Sequence, residues 1–216
     1  MMTYLQLVNA VLRRIRADEV STVSETRYSA LIGDLVNDAK DLVAAAWDWS
    51  VLRPTIIVTT VSGTQSYSLT GSRDDVKILE VTNATSTIFL QYVTDHWMIN
   101  QSLNSSTTNS SPSYYTFDGV DSNGDSKIKV FPIPDGVYTL NFKAVVRNPT
   151  LTANATQIVI PTAPILHLAV ALAARERGET GGQTTVEYFS VADQYLADAV
   201  SLDANKHPEE LIFKVV

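Results

Sequence analysis

Apolar residues recur at helical spacing through roughly the first fifty positions, give way after Pro54 to short β-branched and aromatic runs, and return to helical spacing after Pro161. Thr3 stands before a stretch whose apolar positions Tyr4, Leu7, Val8, Val11, Leu12 and Ile15 share one helix face, which predicts a helix with Thr3 as its cap. Thr22-Val23-Ser24-Glu25 has capping-box spacing and predicts the start of a second helix. Its stripe runs through Tyr28, Leu31, Ile32, Leu35, Val36, Ala39, Leu42, Val43 and Ala46, with Asp34, Asp38 and Asp41 opposite. It ends at Trp47-Asp48-Trp49, and Pro54 bars continuation because a proline cannot supply the helical amide.

Between Pro54 and Ile160 the pattern predicts strands at Thr55–Val61, Ser66–Leu69, Val76–Asn83, Thr87–Val93, Tyr114–Phe117, Lys127–Phe131, Val137–Val146 and Gln157–Ile160. The connectors Ser62-Gly63-Thr64, Ser122-Asn123-Gly124-Asp125 and Pro134-Asp135-Gly136 hold the residues that tight turns require. An antiparallel sandwich or barrel follows. Asn100 to Ser113 has almost nothing to bury and is expected to be a long mobile loop.

After Pro161, Thr162 is positioned to cap a helix with Pro164 in its first turn. The body of that helix, Ile165 to Ala174, is apolar nearly all round, so burial on several sides is expected; Gly178 and Gly181-Gly182 end it. Thr184-Thr185-Val186-Glu187 opens a last helix with a stripe of Tyr188, Phe189, Ala192, Tyr195, Leu196, Ala199 and Leu202. Asn205 to Pro208 stops it, and Leu211 to Val216 is apolar and β-prone. The predicted fold is α+β: a helical bundle of N- and C-terminal helices with an inserted antiparallel β-domain. Expected boundaries are 1–53 for the first helical pair, 54–161 for the β-insert, 162–208 for the second pair and 209–216 for an extended docking tail.

Composition supports a core: 45% of the 216 residues are hydrophobic and only 18% charged, which excludes an intrinsically disordered chain. With no cysteine there are no disulfides, thiolate metal sites or cysteine nucleophiles. The longest apolar run, Ala163–Ala174, is broken by His167 and falls short of the roughly 18 residues of a membrane span, and the N-terminal arginines follow the apolar residues instead of preceding them as in a signal peptide. A soluble protein without membrane contact is expected. Acids outnumber bases seven to six over Met1–Arg53, eight to six over Pro54–Pro161 and eight to four over Thr162–Val216, summing to a net charge of −7. No segment is basic enough to grip a phosphate backbone.

A catalytic reading finds no groups with assignable roles. His96, His167 and His207 lie at no metal-ligand spacing, and no nucleophile elbow, phosphate loop, dinucleotide fingerprint or zinc helix motif occurs. His167 reads as a core histidine, His96 as part of a helix start, and His207 as part of an exposed linker. Asp121-Ser122-Asn123-Gly124-Asp125 has the texture of a calcium loop, but its glycine comes too early and Val130 stands near where the closing acid belongs, so it reads as a hairpin turn. Trp47 and Trp49, two apart at a helix end, do not share a face; they read as anchors of the helices onto the β-domain and not as a sugar-stacking platform. No cofactor, metal or catalytic residue is assigned.

Several local patterns, in this order along the chain, resemble the phage adaptor proteins of the tail accessory factor and tail tubular protein A type. They are Tyr4-Leu5-Gln6-Leu7-Val8-Asn9-Ala10-Val11-Leu12-Arg13-Arg14-Ile15, Trp47-Asp48-Trp49-Ser50-Val51-Leu52-Arg53, and Val61 to Leu69, which looks like the family's first hairpin. Ile128 to Gly136 followed by Tyr138-Thr139-Leu140 looks like its late hairpin, and Ile160-Pro161 runs into the alanine-rich helix. The resemblance implies a non-enzymatic virion protein at the head–tail junction, assembled in the host cytoplasm. It would form a ring of commonly about twelve subunits under the portal protein, joining it to a tail or tail-terminator protein, with DNA passing through the channel without sequence-specific binding. The acidic balance agrees with such a channel. Ile165, Leu166, Leu168 and Leu172 are the expected ring-packing residues, since an all-round apolar helix suits neighbours on several sides. Leu211, Ile212, Phe213, Val215 and Val216 would be an aggregation hazard if left bare, so they are the expected contact with the portal or a neighbouring subunit, with pairing to the chain's own β-domain as the alternative. A receptor- or glycan-binding tail module, another connector such as a tail terminator or stopper, and a small hydrolase remain as rival readings.

Overall fold

A computed structural model describes residues 1–104, 108–178 and 183–206. The chain is α+β and divides into two compact units, one made of Met1–Val51 with Asn148–Val216 and the other of Leu52–Arg147.

The first unit holds α1 (Tyr4–Arg14), α2 (Arg27–Ala46), α4 (Thr162–Glu176) and α5 (Gln183–Ala204). Thr3 caps α1 with a full capping box: its hydroxyl accepts from the Gln6 amide at 3.2 Å, and Gln6 Oε1 accepts from the Thr3 amide at 2.9 Å. The second helix begins four residues later than its first box-like signal. Glu25 spends its carboxylate on Ser21, accepting from the amide at 2.6 Å and the hydroxyl at 2.8 Å, which closes a turn instead of a helix. Thr26 is the cap, and its reciprocal partner is Ser29. Pro161, not Thr162, occupies the cap position of α4, with no side-chain cap bond. Gly178, at φ +84°, ends that helix as expected, in the left-handed conformation that glycine adopts without steric cost.

α4 packs against α1, α2 and α5, and α1 against α2. The core is Leu7, Val8, Val11 and Leu12 of α1, Ile32, Val36, Ala39 and Val43 of α2, and nearly all of α4 from Pro164 to Ala174. Residues 148–161 belong to this unit, although the sequence pattern assigned them to the β-insert. They run beside α1 and α2 as a strap. Tyr4 and Leu5 amides donate to the carbonyls of Thr156 and Asn154, and the Ile158 amide donates to Met2 O. Gln157–Ile160 is not a strand; Gln157 makes one isolated bridge, to Thr3. Two polar side chains on the buried face of α2 hold the strap. Asn37 exchanges bonds with the Leu151 backbone at 2.8 and 3.1 Å. Lys40, 2% exposed, donates to the carbonyls of Pro149 at 2.8 Å and Asn148 at 3.3 Å.

The second unit is a sandwich of two four-stranded sheets. Its strands are β1 (Thr55–Thr59), β2 (Ser66–Ser68), β3 (Lys77–Asn83), β4 (Ile88–Phe89), β5 (Gln91–Tyr92), β6 (Tyr114–Val120), β7 (Ser126–Phe131) and β8 (Thr139–Val145). One sheet has the order β1-β8-β3-β4 and the other β2-β7-β6-β5. Val58, Val81, Leu140 and Phe142 of the first face Leu69, Tyr115, Ile128 and Val130 of the second across one core.

The chain changes sheet more often than its turns foretold. β1 pairs with β8 and β2 with β7, so Ser62-Gly63-Thr64 carries the chain between sheets and Val61–Leu69 is not a hairpin. Likewise β7 and β8 lie in different sheets, so the run from Ile128 through Leu140 is not one either. The single strand expected at Thr87–Val93 splits at buried Leu90. β4 stays with β3, while β5 pairs with β6 and is parallel to it. Between β5 and β6 lies α3 (Asp95–Asn104), so the expected mobile loop is helical over its first residues. Thr94 caps α3 through the Trp97 amide at 3.3 Å. Trp97 packs on Tyr114 and Phe131, with ring centroids 4.8 and 5.8 Å away, and Met98 is buried.

Candidate interaction surfaces

The polar groups singled out in the sequence are committed to structure. Asp121 Oδ1 accepts from the Asn123 and Asp125 amides at 2.8 and 3.0 Å, and Asp125 accepts from the Gly71 and Arg73 amides at 2.9 and 3.0 Å. The bond to the Asp125 amide, more than any other contact, holds the Asp121 carboxyl below the usual range. With Gly124 at φ +83°, this is the β6–β7 hairpin turn. No group of three metal-ligating side chains occurs among the described residues. His167 is half-buried and stacked on Tyr195, ring centroids 4.2 Å apart; burial and then the Arg14 charge push its pKa down. His96 Nε2 lies 3.1 Å from Asn100 Nδ2 on α3, and His207 lies outside the described residues.

Both indoles at the end of α2 bond within the helical unit. Trp49 is fully buried and donates to Val43 O at 2.8 Å. Trp47 Nε1 donates to Asp203 Oδ2 at 3.2 Å. Asp203, near the C-terminal end of α5, is 5% exposed and gathers three further donors. These are the Ser50 amide at 2.8 Å, the Ser50 hydroxyl at 2.6 Å and Lys206 Nζ at 3.0 Å. Burial opposes its ionisation, but the bonds from Ser50 and Lys206 prevail and lower its pKa to about 2. This clasp ties α5 to the turn after α2, and nothing in the local sequence pattern announced it.

Ile165, Leu166 and Leu172 are buried within the chain and Leu168 is half-buried. Within the chain, α4 packs against α1, α2 and α5. Leu211, Ile212, Phe213, Val215 and Val216 lie outside the described residues. The exposed apolar surface is elsewhere. On α5, Tyr188, Val191, Tyr195 and Leu202 share one flank, with Tyr195 42% and Leu202 70% exposed. On α3, Ile99 and Leu103 sit one turn apart, away from the sheet, with Leu103 76% exposed. Long apolar side chains at helical spacing on an open face are characteristic of surfaces that another chain covers.

A third feature is a cavity of about 260 Å³ where α1 ends. It is lined by Arg14, Arg16 and Arg177, with Ile15, Val170, Ala174 and Tyr188. α1 closes in a Schellman motif: the Ala17 amide bonds Leu12 O at 2.9 Å and the Arg16 amide bonds Arg13 O at 3.2 Å. Arg16 therefore occupies the left-handed position, φ +57°, where glycine is usual. Arg177 donates to Ile15 O at 2.6 Å and lies over the Tyr28 ring.

The fold is α+β, with apolar side chains left open on α3 and α5. The sequence matches the SU10 adaptor protein family over residues 2–209, and the chain belongs to that family of structural phage adaptors. It is a virion component, and no helix among the described residues is long and apolar enough to cross a membrane. Among curated proteins the chain has no match.

Proposed function

We propose that this chain is the head-to-tail adaptor of its virion, of the tail accessory factor and tail tubular protein A type. It forms a ring of about twelve copies under the portal protein, and DNA passes through the channel. The helical unit contacts the portal, the β-sandwich contacts the tail or tail-terminator protein, and Leu211–Val216 docks on the portal or on a neighbouring copy. The observation that carries this reading is the adaptor-family match across 2–209 together with the open apolar flank of α5. A net charge of −7 supports a channel wall that lets a polyanion slide without sticking.

Gold-labelled antibody against the chain, applied to virions with heads and tails separated, tests the location. Label confined to the head–tail junction is expected; label on fibres or along the tail shaft overturns the reading. Deleting Leu211–Val216 is expected to weaken capture by the portal ring, and unchanged capture refutes the docking role of that segment.

A further inference from the structure

We infer that the arginine cavity at the end of α1 is a docking socket for a second copy of this chain, and that the carboxylates of Asp34 and Asp38 on α2 enter it. The inference rests on the ring reading above and names the contact that would close it.

Three observations carry it. First, the socket is lined by three arginines. The ion pairs Arg13–Glu19, Lys40–Asp41, Lys129–Asp118, Arg147–Asp75 and Lys206–Asp203 do not involve Arg14, Arg16 or Arg177. Arg14 and Arg177 each give one N–H to a backbone carbonyl, and a guanidinium has five N–H donors in all. Three arginines around one cavity bring like charges together, and a carboxylate matches the planar fork of a guanidinium.

Second, the backbone places Arg16 there at a steric cost. Positive charge in the last turn of α1 is explained by the helix dipole, and Arg13 and Arg14 satisfy that role. The dipole does not explain a long side chain in the left-handed position where glycine is free of strain. A strained residue that lines a cavity is the pattern of a site held for binding.

Third, the same unit carries the counter-charge. Asp34 and Asp38 lie one turn apart on the exposed face of α2, opposite its buried Ile32, Val36 and Ala39. Like charges at this spacing weaken a helix unless something neutralises them. A ring of identical copies is built from a heterologous contact, in which one patch of each chain meets a different patch of the next. An arginine socket and an aspartate row on one chain form such a pair. DNA is the weaker match, because the rest of the molecule is acidic and repels it.

The test is sedimentation of the full chain, alone and with the portal ring, for three variants. Arg14→Glu with Arg16→Glu, and separately Asp34→Lys with Asp38→Lys, are each expected to raise the concentration needed for assembly at least about tenfold. An equimolar mixture of the two restores it, since each altered socket meets an altered row. Arg16→Gly is the folding control: its melting temperature holds or rises while assembly weakens. If the wild-type chain assembles but the reversals do not impair it, or the mixture fails to rescue it, the socket inference is wrong and the ring reading stands. If the wild-type chain assembles neither alone nor on the portal, the ring reading fails and takes the inference with it. If the socket instead binds a duplex oligonucleotide in an Arg16-dependent way and the mixture gives no rescue, the cavity serves DNA and the inference is overturned.

Discussion

Replacing Asp203 by asparagine isolates the contribution of one charge to the helical unit. The wild-type carboxylate accepts from the Ser50 amide and Trp47 Nε1 on one oxygen, and from the Ser50 hydroxyl and Lys206 on the other. Asparagine can keep the first pair. Its amide nitrogen then faces the second pair, so the Ser50 hydroxyl reverses and Lys206 turns to water. The lost term is read from the acidity of the group. A fall from 3.8 to about 2, at roughly 1.4 kcal/mol per unit, corresponds to about 2.5 kcal/mol of folding free energy. The folded-state pKa is depressed, so this stabilisation is complete above pH 4 and is lost as pH falls through about 2. Asp203→Asn is therefore expected to be about 2.5 kcal/mol less stable than the parent at pH 7, with the gap roughly halved at pH 3. Urea unfolding followed by tryptophan fluorescence in a Trp97→Phe background reads the helical unit through Trp47 and Trp49. A gap that stays constant from pH 7 to pH 3, or one below about 0.5 kcal/mol at pH 7, would refute the clasp as a charge-based device.

Gly33→Ala on α2 sets helix propensity against packing. Alanine gains about 1 kcal/mol in a helix, but its Cβ would meet Tyr4 Oη at 2.5 Å and Val23 Cγ1 at 2.6 Å, so a net loss of about 1–3 kcal/mol in thermal unfolding is expected. Lys40→Met keeps an unbranched side chain one atom shorter but leaves the carbonyls of Asn148 and Pro149 without their donor; a loss of about 1–3 kcal/mol, with faster amide exchange at Leu151, is expected. Millimolar calcium should leave the melting temperature unchanged, because Asp121 and Asp125 are engaged by backbone amides.

The helices were legible because their signals are local. Thr3 with Gln6 and the apolar spacing of α1 need no distant partner. The start of α2 was misplaced because two threonines in succession offer box-like spacing, and only the structure shows that Glu25 turns back to Ser21. Strand pairing was not legible, since glycine and proline mark where the chain turns and not the sheet to which it returns. Gly63 and Gly136 both sit in connections that cross between sheets. The buried Lys40 left a usable sign: it follows Val36 by four and precedes Val43 by three, inside the apolar stripe. Asp203 and Arg16 left none, because the clasp joins residues 153 positions apart and the left-handed turn at Arg16 has no glycine to mark it. The girth of α4 is met by burial against α1, α2 and α5, contacts that its apolar spacing alone does not assign to particular helices.

On the proposed function, this adaptor-family chain joins the portal as a ring. Light scattering of the purified full chain, alone and mixed with an isolated portal ring, measures this directly. A complex whose added mass equals a fixed whole number of chains per portal ring, about one per portal subunit, is the predicted result. A chain that leaves the mass of the portal ring unchanged at every ratio contradicts the account.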